Sequence, residues 1–330
     1  MIDNASPFKG PVPLSVGDRL LGRDREKDGI YNLLCSSRIV LLHSPSGAGK
    51  TSLVQAGLLK RLKKDFDVWG PARLNESAVC SVANRFSASL IRSLDKDPLL
   101  ASLTLTQYAA QRSKDSNPYL IIIDQFEEVL TSDPLNHKAI KEFFEQLGML
   151  LQDASCFALF LMREDYLAAL DPYRGRVPTQ ISNRFRLELL SLPSAKLVIS
   201  GLTEKTAHPI DPLAVDKLAE ELANVQVLLP DGRSEMQVGY FVEPVFLQVI
   251  CSSLWSMVVS EPNRTKLQID PEDIQKLGDV SNALALYYSS SIGQIAQGNR
   301  QLESAIRDWF GNKLITPSRH LSLIHISEPT

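Results

Sequence analysis

The stretch from Arg38 to Lys64 decides the fold that the sequence predicts. It begins with the apolar run Arg38-Ile-Val-Leu-Leu-His43, continues with Ser44-Pro-Ser-Gly-Ala-Gly-Lys-Thr51, and then places apolar residues at helical spacing as far as Leu62. An apolar run without alternation is typical of a central parallel strand that is covered on both faces. The order of buried strand, small-residue loop and helix therefore predicts an α/β domain with the loop at the carboxyl end of the strand.

The composition of this loop predicts that it binds phosphate as a P-loop. Small residues let the main chain curl until successive N–H groups point inward, and the following helix adds partial positive charge from its N-terminus. Lys50 can neutralise β- and γ-phosphates, and the Thr51 hydroxyl can ligate Mg²⁺. The other interpretation is a glycine-containing turn that binds nothing. The predicted nucleotide-binding residues of the loop are Ser44, Pro45, Ser46, Gly47, Ala48, Gly49, Lys50, Thr51 and Ser52.

One residue of the loop departs from the usual GxxxxGK[ST] pattern. Ser44 stands at the position of the first glycine, where the turn begins. Serine fits this position if its φ angle is negative, because only a positive φ demands glycine. The prediction of a phosphate site therefore depends on the backbone conformation of Ser44.

A second apolar run predicts a metal-binding carboxylate. Tyr119-Leu-Ile-Ile-Ile123 indicates another buried strand, and Asp124 follows directly at its carboxyl end. A P-loop needs a carboxylate on a neighbouring strand to hold the water shell of Mg²⁺. We therefore expect Thr51 and Asp124 to form a Mg²⁺ site together with a bound nucleotide.

The residues that follow Asp124 bear on catalysis. In many ATPases of this shape the next residue is a glutamate, whereas here it is Gln125, which can orient a water molecule but cannot accept its proton. Glu127 and Glu128 are the nearest acids, and we expect slow hydrolysis assisted by one of them. The alternative is that both are solvated acids at a helix start, where negative charge is favourable.

Arg163 is the third candidate for a catalytic role. It follows the apolar strand predicted over Cys156–Met162, so it is expected at the same edge of the sheet as the P-loop. There it could contact the γ-phosphate and report its presence. The alternative is a surface ion pair with Glu164 or Asp165, worth about 0–1 kcal/mol.

The alternation of strands and helices predicts a three-layer α/β domain with a mostly parallel sheet over residues 20–193. An extended lead-in at 1–19 precedes it, and a mainly helical domain with an inserted hairpin is expected at 194–312. The predicted strands are 38–43, 66–74, 119–124, 156–162 and 184–190, and the predicted helices are 24–34, 49–64, 78–94, 136–151, 213–222, 244–258 and 280–297.

The last eighteen residues, 313–330, are expected to be a tail. The final ten, Leu321 to Thr330, look like the translation of a sequencing adapter. Such a segment would not belong to the fold. On this interpretation the chain is a fragment, and a downstream sensor or effector domain is missing. The alternative is a real C-terminal strand, because apolar and polar residues alternate along it.

The overall composition is that of an ordinary globular protein. Of 330 residues, 44% are apolar and 22% charged, and the net charge is −3, so a strongly basic nucleic-acid surface is not expected. No apolar run approaches the ~18–20 residues needed to span a bilayer, and the start of the chain does not resemble a signal peptide. The four cysteines are far apart in sequence. We therefore expect a cytoplasmic protein without disulfides or membrane association.

Together these motifs resemble the STAND class of P-loop NTPases, relatives of the AAA+ ATPases, and within it the bacterial novel STAND NTPase domain. The resemblance covers about Pro7 to Gln297. Its further motifs are Gly22-Arg-Asp-Arg-Glu26, Ile121-Ile-Ile-Asp-Gln-Phe-Glu-Glu128, Arg163 with Asp165 and Tyr166, and Val242-Glu-Pro-Val-Phe-Leu-Gln-Val249.

This resemblance implies an AAA+-like sheet followed by a helical or winged-helix-like lid. It also implies that Gly22 and Arg23 contact the adenine side of ATP or ADP. The function it implies is a switch that is closed with ADP and that self-associates with ATP in signalling or defence. The alternatives are a motor-type AAA+ ATPase acting on DNA or protein, a scaffold that binds no nucleotide, and, more weakly supported, a kinase or small-molecule transferase.

Overall fold

The computed structural model describes residues 6–74, 84–113, 118–228, 233–261, 264, 266–277 and 280–310. Five strands form the central sheet: β1 (Ile39–Ser44), β2 (Asp67–Ala72), β3 (Tyr119–Ile123), β4 (Cys156–Arg163) and β5 (Arg184–Arg186). Their order is β2-β3-β4-β1-β5, and every pairing is parallel. The predicted α/β class with a mostly parallel sheet is therefore confirmed.

Alternate residues of the central strands enter two separate cores, which gives the three layers. On β1, Ile39 and Leu41 pack on one side of the sheet, whereas Val40 and Leu42 pack on the other. The first side is covered mainly by the helices Arg85–Leu94, Leu105–Arg112 and His137–Leu150. The second is covered by Asp24–Ser37 and by the helical segment after the P-loop, made of Lys50–Ser52, the π-helical turns Leu53–Leu58, and Leu59–Asp65.

Short helical segments complete this part of the chain. They are Pro98–Ser102, Glu128–Thr131, Glu164–Tyr166, Ala168–Leu170, Asp171–Arg174 and Pro178–Ile181. The predicted strand at 184–190 is split, because β5 ends at Arg186 and the next strand, β6 (Leu190–Ser191), belongs to a different sheet. Part of the predicted helix at 78–94 lies outside the described residues, as does the tail from residue 311 onward.

A second, mainly helical region follows β6, and we call it the lid. Its strands are β7 (Asn224–Leu228), β8 (Ser234–Val238) and β9 (Phe241–Val242); β7 and β8 form an antiparallel hairpin, and β9 pairs with β6. Its helices are Leu192–Thr203, Pro212–Ala223, Pro244–Val259, Pro271–Leu277, Val280–Ala296 and Arg300–Trp309.

The lid has a hydrophobic core of its own, which includes one residue from the start of the chain. Phe8 is 2% exposed and packs in the same cluster as Leu218, Leu254 and Trp255. Residues 8–21 therefore do more than lead into the sheet, because they run from the lid core toward the first helix, Asp24–Ser37. We call this segment, residues 8–21, the strap.

Candidate functional site

The P-loop has the backbone conformation that the sequence pattern requires. Gly47 and Gly49 have φ angles of 78° and 93°, which glycine adopts without a steric penalty. Ser44 is fully buried at the end of β1 and is not among the residues with positive φ, so serine fits the position of the usual first glycine. The loop then opens directly into the helix that begins at Lys50.

Lys50 lies at the base of this loop. Its Nζ donates a hydrogen bond of 2.8 Å to Ser44 Oγ, and Ser44 Oγ donates one of 2.7 Å to the Pro45 carbonyl. Burial lowers the pKa of Lys50, while the negative charges of Glu127 and Asp124 oppose that shift. A partly desolvated ammonium group is suited to binding an anion, because the ligand's negative charge would replace the hydration that the group has lost.

Thr51 and Asp124 are in contact although β4 lies between β1 and β3. The carboxylate therefore follows the next strand but one, and not a neighbouring strand as the sequence predicted. Thr51 Oγ1 donates a 2.9 Å hydrogen bond to Asp124 Oδ2, and Asp124 Oδ1 accepts one of 3.0 Å from the Gln125 N–H. Within the described ranges no group of three or more His, Cys, Asp or Glu side chains could hold a metal. A Mg²⁺ ion held by Thr51 and Asp124 would thus need phosphate oxygens and water to complete its octahedron, which is how Mg²⁺ is usually bound.

The backbone after Asp124 sends Glu127 and Glu128 in different directions. Gln125 has a φ of 56°, and Phe126 is buried against Phe160 with ring centroids 4.5 Å apart. Glu127 therefore lines the cavity beside the P-loop, and its Oε2 accepts a 3.2 Å hydrogen bond from the Arg163 N–H. Glu128 instead accepts a 3.2 Å hydrogen bond from the Leu74 N–H beyond the end of β2.

Both glutamates are desolvated carboxyl groups. Burial raises the pKa of Glu127, against the lowering effect of backbone hydrogen bonds and Lys50. Burial also raises the pKa of Glu128, to about 7. Of the two, only Glu127 lines the cavity, so the geometry places it nearer to a ligand of the P-loop. The sequence could not separate them, because the separation depends on the turn at Gln125.

Arg163 lies beside the P-loop and also forms an ion pair with Asp165, so it combines the two arrangements that the sequence left open. It pairs in register with Ser44 across β4 and β1, which brings it to the P-loop, and it lines the cavity. Its guanidinium donates hydrogen bonds of 3.1 and 2.6 Å to Asp165 Oδ2. The side chain is 35% exposed, so this ion pair leaves it accessible from solvent.

These residues line a cavity of about 260 Å³ between the P-loop, the strap and the lid. Its floor carries the P-loop, Asp124, Gln125, Glu127 and Arg163. Its other walls are largely apolar and come from the strap, from Arg23 just after it, from β6 and from the lid: Gly10, Pro11, Val12, Pro13, Leu14, Arg19, Leu20, Leu21, Arg23, Leu190, Val198, Leu202, Pro244, Val245, Leu247 and Gln248. The strap was not expected to line a site, and its proline-rich sequence gave no signal for it.

The remaining predicted binding residues have partners within the protein. Ser52 Oγ accepts a 3.0 Å hydrogen bond from the Leu14 N–H of the strap. Gly22 has a φ of 71° and lies so close to the Ser194 backbone that a Cβ would be 3.1 Å from the Ser194 carbonyl oxygen. Arg23 is 4% exposed and donates to the Ala48 carbonyl of the P-loop.

Comparison with protein families identifies the group to which this arrangement belongs. The model of the family described as Novel STAND NTPase 1 matches residues 7–312. The chain belongs to this family. It is therefore a P-loop NTPase, as the resemblance of its motifs implied, and the match spans both the sheet and the lid of the STAND chain.

Solved structures share the fold of this STAND chain at low sequence identity. A Walker-type ATPase of Pyrococcus abyssi matches with a TM-score of 0.53 and 11% identity, covering 90% of this chain and 80% of that one. The Aeropyrum pernix ORC2 protein, solved as ADPNP–ADP complexes, matches with a TM-score of 0.55 and 16% identity, covering 84% and 72%. Among curated proteins the comparison finds no match.

The helices offer no candidate for a membrane span. In the part of the chain that the structure describes, none combines the length and the apolar character that crossing a bilayer requires.

Proposed function

We propose that this STAND chain is an ATP-binding molecular switch that hydrolyses ATP slowly with Mg²⁺. The observation that carries the proposal is the joint placement of Lys50 and the Thr51–Asp124 pair on one wall of a cavity that the lid also lines. A nucleotide bound to the P-loop would thus also contact the lid. The family match and the nucleotide-bound neighbour support a nucleotide ligand.

Different residues of the floor would contact different parts of the polyphosphate and its metal ion. The loop residues Ser44, Pro45, Ser46, Gly47, Ala48 and Gly49 would surround the phosphates, and all of them except Pro45, which has no N–H, could donate a backbone hydrogen bond. Lys50 supplies a fixed positive charge, and Thr51 with Asp124 would hold Mg²⁺. Bound Mg²⁺ would neutralise charge that develops on the phosphate oxygens.

Slow hydrolysis follows from the residues available to handle the attacking water. Gln125 can orient water but is not a base. We assign the assisting carboxylate to Glu127, because it lines the cavity and its pKa is raised, whereas Glu128 faces the end of β2. Arg163 would report the γ-phosphate by exchanging its bond to Asp165 for one to the nucleotide.

The switch requires that ATP and ADP favour different arrangements of the lid. A ligand shifts a two-state equilibrium only by its differential affinity for the two states. The γ-phosphate would supply that difference through Arg163 and Mg²⁺ on the floor. We propose that the ATP-bound arrangement self-associates in the cytoplasm and passes the signal to a further sensor or effector domain.

Two measurements test this function. Mg·ATP at about 100 times its Kd should stabilise the chain by about 2.7 kcal/mol, whereas an unchanged Tm would support a scaffold that binds no nucleotide. Steady-state turnover should stay well below ~1 s⁻¹, and faster turnover would instead favour a motor. Size-exclusion chromatography with ATP and with ADP then tests whether self-association depends on the nucleotide.

A further inference from the structure

Arg23 is a buried cation with three partners in three different parts of the fold. Its Nη1 donates a 2.8 Å hydrogen bond to Glu26 Oε1. Its Nη2 donates one of 3.1 Å to the carbonyl of Ala48 in the P-loop and one of 2.9 Å to the carbonyl of Glu188. Glu188 lies between β5 and β6, in the segment that leads into the lid. One nitrogen atom thus joins the P-loop to that segment.

We propose that Arg23 is a positioning residue, which holds the P-loop in its anion-binding conformation and ties it to the segment that enters the lid. The inference rests on the proposed nucleotide-binding function and adds a residue to it. It differs from what the family resemblance implied, which was a contact between Arg23 and the adenine side.

The bond to Ala48 fixes a peptide plane that faces the cavity. The carbonyl of Ala48 and the N–H of Gly49 belong to one trans peptide, so they point in opposite directions. Holding the carbonyl toward Arg23 therefore holds the Gly49 N–H away from Arg23. Gly49 has a φ of 93°, and a Cβ there would meet nothing within 4 Å. Because glycine is permissive and this position is open, the peptide would rotate easily without that bond.

The charge of Arg23 is satisfied inside the protein. Its side chain is 5% exposed, and the Glu26 carboxylate balances it at 2.8 Å. Buried charges are stable only when they are paired and hydrogen-bonded, and here the guanidinium has both a carboxylate and two carbonyl partners. A lysine keeps the charge, but it lacks the planar fork that reaches Glu26 and the two carbonyls in different directions.

The test compares two ligands that share phosphates but not the base. Arg23→Lys and Arg23→Ala are each measured for binding of Mg·ATP and of pyrophosphate, the second by competition against a fluorescent ATP analogue. We expect both affinities to fall by about tenfold or more and by the same factor, because a charged hydrogen bond that organises the phosphate site is lost. The control Arg61→Lys, on an exposed arginine paired with Asp28, should bind like the parent.

Hydrogen exchange gives a second readout that a general loss of stability would not imitate. In the parent, pyrophosphate should slow amide exchange in residues 187–203, a segment that includes Glu188, whose carbonyl accepts the bond from Arg23. In Arg23→Lys, at ligand concentrations that saturate it, this protection should be lost while protection of the P-loop helix remains.

Several results would overturn the proposal. A weaker affinity for ATP with an unchanged affinity for pyrophosphate would mean that Arg23 contacts the nucleoside. Parent-like affinities of folded Arg23 variants would mean that the bonds to Ala48 and Glu188 do not matter for binding. Failure of both variants to fold would make Arg23 a residue required by the whole fold. By contrast, a parent chain that binds neither ligand would count against the proposed function itself.

Discussion

The two sides of the cavity differ in the chemistry that they offer. The floor, formed by the P-loop and the ends of β3 and β4, presents the charged groups of Lys50, Asp124, Glu127 and Arg163. The strap and lid present mainly aliphatic side chains, such as Val12, Val198, Leu202 and Leu247. Apolar contacts are non-directional and scale with buried area, whereas charged contacts depend on position and on the charge of the ligand. We therefore expect the floor to bind the phosphates and the lid side to contact the nucleoside.

The largest effect should come from removing the proposed metal ligand of the floor. Asp124→Asn is expected to slow hydrolysis by at least about 1,000-fold, since a catalytic metal supplies several kcal/mol of charge stabilisation. Single-turnover hydrolysis of radiolabelled ATP by excess protein measures this. Asp133→Asn, which alters an exposed ion pair with Arg85, is the matched control and should keep parent activity. Equal rates for Asp124→Asn and the parent would contradict the account.

The next effect should separate two glutamates that are adjacent in sequence. Glu127→Gln is expected to slow hydrolysis by about 100-fold, the lower end of what a general base contributes, with little change in ATP affinity. Glu128→Gln should change the rate by less than about threefold, because this carboxylate bonds to the Leu74 N–H and does not line the cavity. The same single-turnover assay compares the two variants. If Glu128→Gln slowed hydrolysis more than Glu127→Gln, Glu128 would be the catalytic carboxylate.

A smaller effect is expected on the lid side. Leu202→Ala should weaken binding of ATP by about fivefold to tenfold, or about 1.0–1.4 kcal/mol. This is the contribution of one to two buried CH₂ groups at about 0.8 kcal/mol each, because Leu202 is only half-buried. Binding of pyrophosphate should be unchanged. Leu197→Ala, on the same helix but 50% exposed, should bind both ligands like the parent. If Leu202→Ala weakened the binding of ATP and of pyrophosphate equally, the lid side would not be specific for the nucleoside.

The smallest effect concerns stability against pH. Because the pKa of Glu128 in the folded chain is about 7, above its ordinary value of 4.5, the folded state binds more protons than the unfolded state between these values. Stability therefore falls as pH rises through that window. The Tm of Glu128→Gln minus that of the parent should thus increase by a few degrees from pH 5 to pH 8. A difference that stays constant with pH, or that shrinks, would contradict the desolvation of Glu128; Glu204→Gln serves as an exposed control.

The sequence predicted the floor better than the lid side, for a physical reason. Strands β1, β3 and β4 are continuous apolar runs, and each predicted boundary lies within one residue of the observed one. The P-loop residues follow from covalent order alone, because the loop must connect β1 to the next helix. Local composition is therefore enough to predict these strands and the position of the loop, whereas the directions of Glu127 and Glu128 depend on the turn at Gln125.

The features that the sequence could not predict depend on contacts between distant segments. The burial of Phe8 in the lid core, the bond from Leu14 to Ser52, and the bonds of Arg23 to Ala48 and Glu188 join residues far apart in the chain. The sequence analysis also does not predict the helices Leu105–Arg112, Leu192–Thr203, Pro271–Leu277 and Arg300–Trp309. Leu105–Arg112 buries few residues, and Leu192–Thr203 has apolar residues on much of its circumference, so neither shows a clear periodic pattern.

ATP binding by Lys50→Ala, compared with the parent by isothermal titration with Mg²⁺ present, shows whether the P-loop holds the nucleotide. If the P-loop holds the polyphosphate, loss of this half-buried ammonium should weaken ATP binding by at least about 100-fold. The control Lys63→Ala, an exposed lysine in the same helical segment, should bind like the parent. Equal ATP affinities for Lys50→Ala and the parent, with both chains folded, would contradict the account.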